Sequence, residues 1–491
     1  MSVISIQNLT FGYEESLNNV FDNITLNIDS SWKLGLIGKN GSGKTTLLKI
    51  LLGELEYKGN VISNKNFFYF PYDIDNENEL VLEMIKEHCH KQDWEIMKEL
   101  NLIDFDTELI YSPFNMLSFG EQTKVMLCTM FLIEDAFLLL DEPTNHLDMK
   151  TRSVVSAYLK KKNGFILVSH YRQLLNEVCD HIISINKSTI DVISGNYDVW
   201  KEAFDNREQF EIMQRDKIIK DMNRLNTASK NTANWSNKVE KSKFNSKNSG
   251  SSVDRGYVGH KSAKMMKRAK VIEKRMNRQK AEKENLLGDL EHTFSLKIKA
   301  EPYRAEKMGY VQNLSLSYYD KNVFSGISFD ICSGDRIVLS GKNGCGKTSL
   351  IRILLGEQEK SAGEFKINND VKISYVSQSD DNLNGSLSDY ALQYNVDLNL
   401  MLSILNKLNF QGDCFLNRIE NFSKGQKRKL QLAKSLCERA NLYIWDEPLN
   451  YLDIHSRIQL ENLILEYKPT MIFVEHDEAF SEKIANKIIE M

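Results

Sequence analysis

The stretch Gly38-Lys-Asn-Gly-Ser-Gly-Lys44-Thr45 returns later in the chain as Gly341-Lys-Asn-Gly-Cys-Gly-Lys347-Thr348, and this duplication constrains the fold more than any other feature. Each copy follows a short apolar run (Leu34-Gly-Leu-Ile37; Ile337-Val-Leu339) and opens a helical pattern (Thr45 to Leu52; Thr348 to Leu355). Strand, glycine loop and helix in that order let successive backbone N–H groups converge on a phosphate at a helix N-terminus. Other stretches repeat in the same order and spacing: Ile6-Gln-Asn-Leu9 with Val311-Gln-Asn-Leu314, Asp141-Glu-Pro143 with Asp446-Glu-Pro448, and His170 with His476. Agreement over so long a stretch means a duplicated domain, not a short solenoid repeat. The 491 residues divide into a first domain at 1–200, an intervening segment at 201–304 and a second domain at 305–491. Within each domain, apolar runs such as Phe137 to Leu140 and Leu442 to Trp445 are bounded by turn signals, as buried parallel strands are. The fold class predicted is α/β, with two tandem P-loop domains.

Cysteine usage and hydropathy narrow the setting. The seven cysteines (Cys89, Cys128, Cys179, Cys332, Cys345, Cys414, Cys437) never fall in a C-x-x-C spacing. That argues against a disulfide framework or a zinc site and predicts seven small buried apolar residues in a reducing compartment. The most apolar run, Val125 to Ile133, is about half the length of a membrane span and runs into Glu134 and Asp135. The N-terminus opens on a strand pattern, Val3-Ile-Ser-Ile6, without a signal peptide. A cytoplasmic protein with no membrane association is expected, and a transport role would need a separate membrane subunit.

Net charge is only −4, but it is unevenly placed. Residues 201–300 carry 24 Lys and Arg against 13 Asp and Glu, so the rest of the chain is acidic. A basic block in an acidic protein points to a polyanionic partner met by one region; otherwise it is a solvated helical surface.

The motifs assign chemistry. Lys44 and Lys347 are placed to meet β- and γ-phosphates, and Thr45 and Thr348 to hold Mg2+. The loop groups Gly38, Asn40, Gly41, Gly43 and Thr46, and Gly341, Asn343, Gly344, Gly346 and Ser349, complete two ATP-binding cradles. Asp141 and Asp446 end apolar strands, where a parallel sheet presents ligands, and are candidates for the metal. Glu142 and Glu447 follow as candidates to orient or deprotonate the attacking water, and His170 and His476 to contact the γ-phosphate.

Leu117-Ser-Phe-Gly-Glu-Gln122 and Phe422-Ser-Lys-Gly-Gln426 resemble the signature of ABC proteins, each ahead of a helix and the acidic strand. The resemblance implies two composite sites, in which the signature of one domain caps the γ-phosphate held by the other. Ser423 and Gly425 would complete the first site, and Ser118 and Gly120 the second. Tyr13 and Tyr318 stand where ABC proteins stack an aromatic ring on adenine, although ordinary packing explains them as well. The family's metal-contacting glutamine is Gln378 in the second domain, whereas Tyr72 occupies its place in the first. A phenol lacks the amide carbonyl, so unequal sites are expected.

The stretches DEPTNHLD (Asp141 to Asp148) and DEPLNYLD (Asp446 to Asp453) are similar to those of the ABC-F family of ribosome-associated ATPases. The intervening segment agrees. Residues 201–240 and 261–292 read as helices around a Ser/Gly/Asn-rich stretch, 242–260, which predicts an antiparallel hairpin reaching roughly 45 Å. Within ABC-F the resemblance extends to the Lsa-type antibiotic-resistance proteins, on Trp32-Lys-Leu-Gly-Leu-Ile-Gly38, Gly164 to His170, Met266-Lys-Arg268 and Leu442 to Asp453. Residues 73–115 leave room only for a short arm, and little chain follows His476.

This resemblance implies an ATPase that binds the 70S ribosome as a monomer, its two domains closing on ATP. The linker would enter the E site toward 23S rRNA near the peptidyl-transferase centre and the P-site tRNA. Lys243, Lys247, Arg255, Tyr257, Lys261, Lys264, Lys267, Arg268 and Lys270 would meet RNA. Protection from lincosamides, streptogramin A compounds and pleuromutilins would follow. A housekeeping ABC-F translation factor and the ATPase subunit of a drug exporter are the alternatives.

Overall fold

In a computed structural model the described residues are 2–13, 19–145, 147–185, 190–207, 296–318, 321–342, 344–379, 383–410 and 412–491, with separate positions between 209 and 278. The chain divides into two compact units, one holding both halves of the duplication and the other spanning residues 199–293.

The first half opens with an antiparallel sheet ordered β2-β1-β4, where β1 is Val3–Phe11, β2 Phe21–Asp29 and β4 Lys58–Ile62. Alternating burial along β1 and β2 leaves one face to the core and one to solvent. Behind it lies a six-stranded sheet ordered β5-β6-β7-β3-β8-β9. Its strands are β3 (Lys33–Gly38), β5 (Asn66–Phe70), β6 (Ala136–Asp141), β7 (Phe165–Val168), β8 (His181–Ile185) and β9 (Ile190–Ser194). All pair in parallel except β9, which runs antiparallel to β8. The central strands are apolar throughout because helices and the small sheet cover both faces; β7, Phe-Ile-Leu-Val, is wholly buried. Helix α1 (Lys44–Leu52) sits between the two sheets and drives Leu47, Leu48, Ile50 and Leu51 into their shared core. A helical layer follows: α2 (Val81–His88), α3 (Asp93–Leu102), α4 (Phe119–Leu132), α5 (Met149–Lys160) and α6 (Arg172–Val178).

The second half repeats the plan. An antiparallel sheet β11-β10-β13 (β10 Lys307–Tyr318, β11 Lys321–Cys332, β13 Ala362–Ile367) packs on a parallel sheet β14-β15-β16-β12-β17. That sheet contains β12 (Arg336–Ser340), β14 (Ile373–Val376), β15 (Leu442–Asp446), β16 (Met471–Val474) and β17 (Lys487–Glu490). Its helices are α7 (Lys347–Leu354), α8 (Leu387–Gln393), α9 (Leu398–Lys407), α10 (Lys424–Cys437), α11 (Ile454–Tyr467) and α12 (Glu478–Ile484). The α/β architecture expected from the duplicated motifs is therefore present twice.

In the other unit, the described positions from 209 to 278 are helical and exposed. The expected hairpin tip, 242–260, lies outside the described residues except for His260. Among the described residues no helix is long and apolar enough to cross a membrane. The cysteines depart from expectation: Cys89, Cys128, Cys179 and Cys437 are buried, but Cys332, Cys345 and Cys414 are partly exposed. Cys345 lies in the second glycine loop, and Cys414, packed at the edge of the second half's core, accepts a hydrogen bond from Gln426 Nε2.

Candidate functional site: two nucleotide clefts

Each glycine loop leaves the C-terminal end of a central strand, where open α/β sheets bind ligands. In the first, a Cβ on Gly43 would stand 2.6 Å from Val20 Cγ1, at a φ of +97°. In the second, Gly346 has φ +99° and a Cβ would stand 2.6 Å from Val323 Cγ1. Only glycine fits both the backbone and the space. The two lysines then fold back identically. Lys44 Nζ donates to the carbonyls of Gly38 (2.8 Å) and Lys39 (3.0 Å), and Lys347 Nζ to those of Gly341 (2.8 Å) and Lys342 (2.9 Å). Both are nearly buried, and burial lowers the Lys44 pKa against the opposing pull of Asp453, Glu142 and Asp141.

At the ends of β6 and β15 the acidic pairs adopt one geometry. Glu142 and Glu447 are left-handed, with φ of +52° and +51°, and their N–H groups donate to Val168 and Val474 at 3.0 Å. Such strain persists only where surrounding structure over-determines it. His170 Nε2 lies 3.3 Å from Glu142 Oε1, and His476 Nε2 lies 3.3 Å from Glu447 Oε1.

Beyond this common frame the sites differ. Asp141 accepts hydrogen bonds from Tyr69 Oη (2.9 Å) and Thr45 Oγ1 (3.3 Å). Among the described residues neither oxygen of the fully buried Asp446 makes a well-formed hydrogen bond, and burial, opposed by the nearby Thr348 hydroxyl, pushes its pKa up to about 6. The carboxyl oxygens of Glu142 are also shielded from solvent, with no hydrogen bond among the described residues; burial first, then the charge of Asp141, pushes its pKa up to about 8. Glu447 goes the other way. Burial raises it, but His476, Gln378 and Arg428 outweigh burial and hold it below the usual glutamate value. Asn450 Nδ2 adds a 2.6 Å bond to Glu447 Oε2. His170 is held well below the usual histidine value, mainly by burial and then by Lys44 and Arg457.

Strand register confirms that Tyr72 and Gln378 stand at equivalent places, because Phe70 pairs with Leu140 as Val376 pairs with Trp445. Their side chains diverge. Gln378 lines a cleft of about 550 Å³ with Tyr318, Lys347, Thr348, Ser349, Glu447 and His476. Tyr72 instead buries its hydroxyl without a hydrogen-bond partner, its ring 5.3 Å from His88, and burial raises its pKa to about 12.

The halves meet at both sites. Asn40 donates through its backbone N–H to Asp453 Oδ2 (3.3 Å) and through Nδ2 to the Tyr451 carbonyl (2.9 Å). Gly425 sits so close that a Cβ would lie 2.8 Å from Tyr451 O and 2.9 Å from Asn40 Nδ2. The second half's signature is thus brought to the first half's phosphate loop. At the other site the cleft is walled by Leu147, Arg152 and Tyr171 of the first half, and Arg152 Nη1 donates to the His476 carbonyl at 2.9 Å. Ser118 caps α4 with Glu121, and the neighbours a Cβ on Gly120 would meet are Thr151 and Leu147 of its own half. Asn343, which would mirror Asn40, lies outside the described residues.

Tyr13 and Tyr318 are half exposed; Tyr13 Oη and Thr46 Oγ1 are 2.9 Å apart, and Tyr318 Oη accepts from Gln358 Nε2 at 2.7 Å. Of the candidate RNA-contacting residues, Lys264, Lys267, Arg268 and Lys270 are helical and exposed, while Lys243, Lys247, Arg255, Tyr257 and Lys261 lie outside the described residues. Sequence reasoning missed Tyr69, Arg152, Tyr171, Arg428 and Asp453. Only Asp453 had a signal, as the last residue of a repeated acidic motif.

The donor sets suit a nucleoside triphosphate and a hard cation. Each half offers a glycine cradle, a lysine and a hydroxyl, and buried carboxylate oxygens at Asp446 and Glu142 lack the partners that burial demands. Fold and sites together define a tandem ABC-type ATPase. The ABC transporter family pattern matches residues 21–145 and 324–450, one stretch in each half. The ribosome protection protein VmlR of Bacillus subtilis is 29% identical over 489 residues, covering 99% of this chain and 86% of that protein. The ATP-binding protein Uup of Buchnera aphidicola is 30% identical over 507 residues, covering 99% and 80%. A solved structure of an archaeal ribosome recycling factor, aABCE1, in complex with the stalk protein aP1, superposes with a TM-score of 0.62 at 17% identity over 98% of this chain and 87% of that one. This chain belongs to the ABC transporter family and, within it, to the ABC-F ATPases.

Proposed function

We propose that this ATPase is cytoplasmic, binds the 70S ribosome and protects it from lincosamides, streptogramin A compounds and pleuromutilins. The observation that carries the reading is likeness along nearly the whole chain to a protein named for ribosome protection, basic interdomain segment included. The exposed helical Lys264, Lys267, Arg268 and Lys270 supply charge suited to RNA phosphates, giving salt-sensitive contacts to 23S rRNA and the P-site tRNA. With ATP at both sites, each γ-phosphate is shared between the glycine loop of one half and the signature of the other, so ATP favours the closed protein. In that state the linker enters the E site and disturbs the drug pocket. Thr45 with Asp141, and Thr348 with Asp446 and Gln378, would hold Mg2+, which neutralises phosphate charge when bound. Glu142 and Glu447 orient the attacking water, His170 and His476 steady the γ-phosphate, and hydrolysis removes the contact that bridges the halves.

The test is sedimentation of the Glu142→Gln, Glu447→Gln double variant with ribosomes. It should pellet with them in ATP and not without; a variant that stays in the supernatant with ATP overturns ribosome binding. A second reading is a translation factor without a role in resistance, because the chain is as similar to Uup, named only as an ATP-binding protein, as it is to the ribosome protection protein. Expression in a susceptible strain separates the two, since only the resistance reading raises inhibitory concentrations.

A further inference from the structure

Helix α10 serves the first site with its N-terminus, through Ser423 and Gly425, yet one turn further on it grips a loop of the second. Arg428 is 1% exposed. Its Nη1 donates to the Ser377 carbonyl at 2.6 Å and to Gln431 Oε1 at 2.9 Å, and its Nη2 donates to the Gln378 carbonyl at 3.3 Å. Gln431 Nε2 donates to the Ser379 carbonyl at 3.0 Å and to Ser377 Oγ at 3.3 Å. Three consecutive loop residues are therefore fastened to one helix, and the middle one is the glutamine that faces Glu447 across the second cleft.

The adjacent residue faces the first site. Lys429 Nζ forms a buried ion pair with Asp453 Oδ2 at 3.0 Å, and the same oxygen accepts the Asn40 N–H from the first phosphate loop. Asp453 also caps α11 at Ser456, and its carboxyl is held far below the usual range: burial alone would raise it, but Lys429 and the Ser456 N–H prevail. Neighbouring residues of a helix move together. A shift of the first phosphate loop that pulls Asp453 and Lys429 is delivered to Gln378 through Arg428.

We infer that Arg428 is a positioning residue that holds Gln378 for hydrolysis at the second site and makes that hydrolysis depend on nucleotide at the first. The clamp is built in one half only. Aligning Gly120 with Gly425 puts Thr123, Lys124 and Met126 where Arg428, Lys429 and Gln431 stand. Thr123 bonds back to the Phe119 carbonyl and Lys124 Nζ to the Asp104 carbonyl, while Asp148 caps its own helix at Thr151. Among the described residues no side chain of α4 is hydrogen-bonded to the backbone of the loop at Tyr72, as Arg428 and Gln431 are to the loop at Gln378. The inference rests on the ATPase chemistry and not on the ribosome assignment.

The experiment measures steady-state ATP hydrolysis by the full-length protein in a Glu142→Gln background, where turnover reports the second site. Arg428→Gln should lower kcat roughly 10- to 100-fold, the loss expected for charge-assisted hydrogen bonds, with KM for ATP little changed. Gln378→Ala should do the same, and the double variant should be no slower than Gln378→Ala alone. Arg428→Lys keeps the charge without the fork and should restore only part of the rate. Lys44→Ala, which empties the first site, should slow the second site when Arg428 is present and slow it no further in Arg428→Gln. Gln431→Leu, milder in the core, tests the same clamp if Arg428→Gln does not fold and should also lower kcat with KM unchanged. Multiplying effects of Arg428→Gln and Gln378→Ala, or an equal loss from Lys44→Ala with and without Arg428, would overturn the inference.

Discussion

Glu142→Gln in the nucleotide-free protein should stabilise the fold at alkaline pH and do so progressively less toward acid. The carboxyl oxygens of Glu142 are shielded from solvent with no hydrogen bond among the described residues, and its pKa stands at about 8 against the glutamate value of 4.5. A carboxyl whose folded pKa is raised binds its proton more tightly when folded. Its favourable contribution is complete below pH 4.5 and is lost as pH climbs through about 8. At 1.36 kcal/mol per pH unit, the full span amounts to roughly 5 kcal/mol, of which about 2–3 kcal/mol accrues between pH 6 and pH 9. Glutamine cannot ionise and escapes the penalty. The melting temperature of Glu142→Gln relative to the parent should therefore rise by roughly 3 °C between those pH values, at about 1.2 °C per kcal/mol for a unit of roughly 400 residues. Differential scanning fluorimetry in matched buffers measures it. Glu447→Gln is the internal control: the Glu447 pKa is lowered, so its contribution is complete above the normal glutamate value and is lost only as pH falls through the lowered one. Its melting difference should be flat over the same range. A flat difference for Glu142→Gln, or one that grows toward acid, would refute the placement of an ionisable carboxyl in that desolvated pocket.

Gly425→Ala should leave nucleotide affinity at the first glycine loop unchanged but reduce first-site turnover at least tenfold, read in a Glu447→Gln background. The new methyl would lie within 3 Å of Tyr451 O and Asn40 Nδ2, and the halves would have to part to admit it. Arg172→Ala should lower the melting temperature by an amount equivalent to roughly 1–3 kcal/mol, the cost of leaving a buried polar group short of a partner. It removes the 2.7 Å cross-half pair to Glu461, a carboxylate 2% exposed that would then depend on Lys483 alone; an unchanged melting curve would show that the pair contributes nothing.

How far the molecule could be read from its sequence depends on the range of the interactions. The glycine loops, their lysines and the acidic strand ends are local: a strand, a turn with φ near +97° and a helix are encoded within about a dozen residues, so both cradles were legible. The fold class followed, because wholly apolar runs such as Phe165 to Val168 have few homes other than a covered parallel sheet. Tyr69 was not legible. It looks like one more aromatic in Asn-Phe-Phe-Tyr-Phe, and only the register of β5 against β6 brings its hydroxyl to Asp141. Arg428 was equally hidden. In Lys-Arg-Lys near the start of an amphipathic helix it reads as a solvated charge, and it is buried where the loop after β14 meets it.

The inequality of the two sites was foreseen from Tyr72 alone, as a missing amide, and the structure gives that absence a wider cause. The loop after β5 turns its tyrosine toward His88 and the helical layer, and among the described residues no hydrogen bond runs from that loop to the Glu142 carboxyl. The loop after β14 is held by Arg428 and Gln431, so Gln378 and the guanidinium both act on Glu447. Acidic pairs with matching φ angles and matching 3.3 Å contacts to histidine are thus driven in opposite directions, one carboxyl to about 8 and the other below its usual value. Backbone geometry cannot be the source of the difference, because it is the same in both halves. The side chains that follow each edge strand are, and in the second half they hang on the helix whose first turn closes the opposite site.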